Sequence, residues 1–107
     1  MPRPRLCRSV RFQPETTYFK PAGLRIRELE ETVLAVEEFE AVRLKDLEGE
    51  EQEMAAEKMG ISQPTFHRLL SSARKKLADA IVNGKAIKIQ GGNFRISGRR
   101  RHRRGQR

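Results

Sequence analysis

A chain of 107 residues that is 36% hydrophobic supplies one small core, and a formal charge of +9 with a pI near 10.6 favours a polyanionic partner: DNA, RNA or an anionic membrane surface. No apolar run reaches membrane-spanning length and the start Met1-Pro-Arg-Pro-Arg5 lacks the apolar segment of a signal peptide, which predicts a cytoplasmic, nucleoid-associated protein with no membrane partner. A single cysteine, Cys7, excludes an internal disulfide, and with only His67 and His102 beside it there is no metal-ligand spacing, so no metal and no cofactor is expected.

Residues 1–23 read as a basic extended arm. Prolines at 2, 4, 14 and 21 rule out a long helix. Ser9-Val10-Arg11-Phe12 alternates in the manner of a short strand, and Tyr18-Phe19 offers an aromatic anchor before the Pro21-Ala22-Gly23 turn. Arg3, Arg5, Arg8 and Arg11 then suit an arm that tracks phosphates or enters a minor groove. The plainer alternative is a poorly ordered terminus whose charge aids solubility.

A helical domain is expected over 24–84. Leu24 to Leu34 reads as a first short helix with Leu24, Ile26, Leu29, Val33 and Leu34 inward. The next, Val36 to Leu47, places Phe39, Ala41, Val42, Leu44 and Leu47 at spacings of three and four, and Gly49 stops it. The organising stretch follows at about 51–77. Gly60 must end one helix, Ser62 can cap the next, and Pro64 falls early enough in it that its missing N–H costs nothing. Small Ala56 permits close helix approach, while Phe66 and Leu69 face inward, continued by Leu70, Ala73, Leu77, Ala80 and Ile81. This is a helix-turn-helix. Gln63, Pro64, Thr65, His67 and Arg68 are the candidates for reading base edges, although His67 suits packing at the core edge equally well. Ser62, Arg74, Lys75 and Lys76 join the arm as candidates for phosphate contact. The bland alternative is an ordinary helical hairpin with a solvated polar face.

Beyond Asn83-Gly84 the period changes to two. Ala86-Ile87-Lys88-Ile89 and Asn93-Phe94-Arg95-Ile96 flank Gly91-Gly92, which suits either a hairpin or a strand that pairs with Val10 to Phe12; a small sheet joining the two chain ends is preferred. Residues 97–107 have no apolar anchor and read as a disordered tail, in which Arg99, Arg100 and Arg101 attract phosphate without sequence preference. The expected fold is mainly α: a helix-turn-helix bundle of three to four helices with a small β element, 85–96, built with the N-terminal segment.

Charge is segregated along the chain. Residues 28–60 carry twelve acids against Arg43, Lys45 and Lys58, a net −9, and the block ends where the recognition helix begins. Such asymmetry would orient docking on a polyanion. Most of these glutamates are expected to solvate helix surfaces, with a lesser role in meeting a basic partner or the chain's own arginine-rich arm.

Glu37 to Gly49, Gln52 to Ser62 and Thr65 to Leu77 together resemble the region-four DNA-binding domain of bacterial sigma factors. With the Pro-Arg-Pro start, Tyr18-Phe19-Lys20-Pro21-Ala22-Gly23 and Asn83-Gly-Lys-Ala86, the chain is similar over about residues 2–96 to a family of small uncharacterised prokaryotic proteins predicted to bind DNA. The resemblance implies a winged-helix or sigma-region-four-like domain with Gln63, Pro64, Thr65, His67 and Arg68 facing the groove. Pro64 departs from the polar or small residue common there in sigma domains. No Gly-rich phosphate loop and no nucleophile–base constellation stands out, so no enzyme is expected. The reading is a sequence-specific transcription regulator on double-stranded DNA, as a homodimer or with RNA polymerase. Its rivals are an RNA-associated or non-specific nucleic-acid-binding protein and an interaction module that meets polymerase through its acidic helices.

Overall fold

In the computed structural model, which describes residues 8–11, 14–15, 17–92 and 94–96, the helical and alternating periods resolve into three α-helices and two small sheets among the described residues. In chain order these are β1 (Arg8–Val10), β2 (Tyr18–Phe19), a 3-10 turn (Ile26–Glu28), β3 (Glu31–Leu34), α1 (Val36–Val42), a π-helical turn continuing it (Arg43–Leu47), α2 (Gln52–Met59), α3 (Gln63–Asn83), β4 (Ala86–Ile89) and β5 (Phe94–Ile96). The fold is mainly α, with a small β element drawn from both ends of the chain.

β4 lies at the centre of the larger sheet, antiparallel to β2 (Phe19 opposite Ile87) and parallel to β3 (Thr32 opposite Ile87, Leu34 opposite Ile89). β5 does not fold back on β4. It runs parallel to β1, with Arg8 opposite Phe94 and Val10 opposite Ile96, so the sheet joining the ends forms and the hairpin does not. Gly91 and Gly92 instead carry the chain across the start of α1, where Val36 N–H donates to Gly91 O at 3.1 Å. Gly92 has φ +106°, a conformation that L side chains rarely adopt, and a Cβ there would also crowd Ala35 Cβ at 3.1 Å and the Glu37 carboxylate.

Two elements differ from the sequence reading, and Leu24, Val33 and Ile81, expected inward, are exposed. Leu24 to Leu34 is not a helix: after the 3-10 turn, Glu31–Leu34 is a strand, because β-branched Thr32 and Val33 join a registered ladder with β4 that outweighs a marginal local helix. The second departure is Leu47, placed inward by α-helical spacing but 77% exposed. Glu48 N–H reaches back five residues to Arg43 O at 2.9 Å, and this wider turn rotates Leu47 off the buried stripe.

The core has two connected parts. Ala41, Leu44, Ala55, Ala56, Met59, Phe66 and Leu70 pack beneath the helix-turn-helix, and Val10, Leu34, Val36, Ala73 and Ile89 tie the strands to the middle of α3. One stripe on α3 (Phe66, Leu70, Ala73, Leu77 and Ala80) serves both. It stops there, since Ile81 is 76% exposed and Val82 79%.

Candidate nucleic-acid interface

The turn between α2 and α3 is specified by local chemistry. Gly60 sits at φ 70°, ψ 33°, its N–H donates to Glu57 O at 3.0 Å, and Ile61 N–H donates to Ala56 O at 3.1 Å. This paired closure is a Schellman motif, and Ile61 completes it by packing on the core beside Ala56. Ser62, extended at φ −75°, ψ 161°, then caps α3, its Oγ accepting from Thr65 N–H at 3.2 Å, and Pro64 occupies the first turn.

Gln63, His67 and Arg68 are brought together on the exposed face of the first two turns of α3, and Pro64 is exposed beside them. His67 is therefore not packed at the core edge. Thr65 is half-buried: its hydroxyl accepts from Ser62 Oγ at 3.0 Å and from Arg68 Nη2 at 3.3 Å, so it braces Arg68 within the cap. Further along, Lys75 is exposed and forms no ion pair among the described residues. Its neighbours are engaged. Arg74 donates from Nε and Nη2 to the Asp46 carboxylate at 3.1 and 2.5 Å, and Lys76 Nζ donates to Glu38 Oε1 at 2.8 Å. Arg8 is half-buried in β1, where its Nε has no hydrogen-bond partner among the described residues, while Arg11 is exposed. β1 lies beside the turn itself, since a Cβ on Gly60 would stand 4.0 Å from Ser9 Oγ. Arg3, Arg5, Arg99, Arg100 and Arg101 lie outside the described residues, as do Cys7, Phe12 and His102.

A family model described as "Protein of unknown function DUF134" matches residues 1–97. The chain is 63% identical over 98 residues to a UPF0251 protein of Moorella thermoacetica, covering 92% of this chain and 66% of that one. A UPF0251 protein of Thermoanaerobacter pseudethanolicus is 57% identical over 113 residues, covering 99% and 96%. The chain belongs to this family. Its matched span takes in every described element and leaves Arg99, Arg100 and Arg101 beyond it. No solved structure matches the chain.

For this family member, sequence reasoning missed how α1 uses its glutamates. Glu37, Glu38 and Glu40 are buried, not solvating. Glu40 accepts both Nε and Nη2 of Arg43 at 2.9 Å and the backbone N–H of Arg11 at 3.0 Å. Glu38 accepts Ala35 N–H, Ser72 Oγ–H and Lys76 Nζ–H, so one carboxylate caps α1 and binds it to α3. Burial pushes the Glu38 carboxyl up, but the bonds from Lys76, Ser72 and Ala35 outweigh it and hold it below the usual carboxylate value. Burial likewise pulls the Arg43 guanidinium down, and bonding and charge from Glu40, then Glu48, override that and raise it. On the surface, the Arg74 bond lowers the Asp46 carboxyl. Two spacings hinted at this network: Glu38 at the third helical position and Glu40 three residues before Arg43. Among the described residues no three His, Cys, Asp or Glu lie together to hold a metal ion, and no helix is long and apolar enough to cross a membrane.

Proposed function

We propose that the protein is a sequence-specific double-stranded DNA-binding protein, a transcription regulator that inserts the start of α3 into the major groove in the manner of sigma region four. The observation that carries this reading is the exposed cluster Gln63, His67 and Arg68 on the first two turns of a capped helix whose opposite face is core. Gln63 has the donor–acceptor pair that matches adenine, and Arg68 the fork that matches guanine or a phosphate. Thr65 and Ser62 position Arg68 and do not read bases. Phosphate contact falls to Lys75 and Arg11 among the described residues, with Arg74 and Lys76 held back by Asp46 and Glu38. One such helix spans few base pairs, so the site is expected to be two-fold, read by two copies. The rival reading, polymerase contact through acidic helices, has fewer groups available to it, because the three glutamates of α1 face inward.

Selection from a randomised duplex pool, repeated at low and raised salt, tests the reading. An enriched two-fold motif with affinity that falls steeply as salt rises is the expected result. Equal retention of all sequences, or tighter binding to a single-stranded RNA pool, would overturn it.

A further inference from the structure

A cavity of about 480 Å³ opens between the larger sheet, the end of α1 and α3, a size within the range of small-molecule sites. Ile87 and Ile89 of β4, Phe39 of α1 and Leu77 of α3 line it, and Phe19 and Leu47, 50% and 77% exposed, are its most open members. Among the described residues two charged ones border it, Arg43 and Glu48, bonded to each other at 3.1 Å, and Arg43 also donates from Nε and Nη2 to buried Glu40. The lining therefore presents apolar surface, and the charged groups at its border are already bonded to one another. A charged ligand would gain nothing here that offsets its lost hydration, whereas an uncharged apolar one loses none.

The wall formed by the π-helical turn adds a second observation. Such turns interrupt α-helices at a geometric cost and recur at functional sites. Here the turn sends Leu47 outward to the cavity, and the same turn carries Asp46, which holds Arg74 on α3. Movement of the turn would thus be felt at once in the cavity and at Arg74.

We propose that this cavity binds a small uncharged apolar molecule, aromatic or aliphatic, and that its occupancy is coupled through Asp46 to the availability of Arg74 on the face that meets DNA. The ligand site stands on the cavity alone; the coupling rests on the duplex-binding reading above. By linkage, whatever factor the ligand applies to duplex affinity, the duplex applies to the ligand.

Nile red, an uncharged apolar fluorophore, is the probe, titrated into the intact protein without DNA and then with a duplex. Saturable binding of one dye per chain is expected, weakened about tenfold by Ile87→Trp, which fills the cavity, and several-fold by Phe19→Ser/Leu47→Ser, which alters only exposed positions if the first variant fails to fold. Duplex should shift the dye affinity, and Asp46→Asn should abolish that shift. No saturable binding, binding indifferent to both variants, or binding lost as the protein self-associates, which would show a second copy filling the cavity, overturns the ligand site. Dye binding with a duplex that binds but causes no shift overturns the coupling. Failure to bind any duplex sinks the DNA reading and its coupling, and leaves the dye result to judge the cavity.

Discussion

Replacing Glu40 with alanine removes a carboxylate that is 1% exposed from a guanidinium that is 9% exposed. The two are joined by paired 2.9 Å bonds, and Glu40 also accepts Arg11 N–H at 3.0 Å. Stranding one member of a buried ion pair costs about 3–5 kcal/mol. Glu48, whose side chain is 47% exposed, still faces Arg43 at 3.1 Å, so the lower end applies, about 3 kcal/mol. The orphaned Arg11 N–H adds about 1 kcal/mol. A loss of about 4 kcal/mol is a large share of the 5–15 kcal/mol typical of a whole domain and lowers the melting temperature by on the order of 15 °C or more. Glu40→Leu/Arg43→Met, which removes both charges and keeps the volume, should lie within about 2 kcal/mol of the parent protein. Urea and thermal unfolding followed by circular dichroism measure both variants. A loss below about 1 kcal/mol for Glu40→Ala, or a double variant as unstable as the single one, would refute the argument that the pair is a buried, mutually compensating unit.

Three further outcomes follow from the same contacts. Glu38 is held below its ordinary value of 4.5 in the fold, so its contribution is complete above that pH and is lost as pH falls through the depressed folded value; acid unfolding should set in below 4.5, and Glu38→Gln should flatten that slope in a pH series of melting temperatures. Gly92→Ala places a Cβ at φ +106° and 3.1 Å from Ala35 Cβ, and should cost about 1–3 kcal/mol in denaturant unfolding, against no measurable change if the loop simply moves aside. Ser62→Ala removes the α3 cap and should cost about 1 kcal/mol, with Ser62→Asn restoring most of it.

The helix-turn-helix was legible because its signals are local: Gly60, Ser62, Pro64 and the stripe from Phe66 to Ala80 each act within a turn or two of their own position. β3 was not, since four residues of mixed character become a strand only when β4, more than fifty residues later, offers its edge. Leu47 failed for a related reason: a π-helical turn changes the period without changing the residue types that set it. Within the candidate site, exposure of Gln63 and Arg68 followed from the stripe and that of His67 was left open between groove and core edge, whereas capture of Arg74 by Asp46 and of Lys76 by Glu38 depends on partners 28 and 38 residues away. The buried glutamates posed the same difficulty. A charge run reads as solvated unless the distant donors that satisfy it are already known.

The most direct measurement of the DNA reading compares base preference, not affinity alone, for the intact protein, Gln63→Ala/Arg68→Ala and Lys75→Ala, by sequencing duplexes retained from a randomised pool. Expected are an enriched motif for the intact protein, its disappearance at the base positions read by Gln63 and Arg68 in the double variant, and an unchanged motif bound more weakly, with a salt slope reduced by about one, for Lys75→Ala. A motif that survives Gln63→Ala/Arg68→Ala unaltered would contradict the assignment of α3 as the reader of sequence.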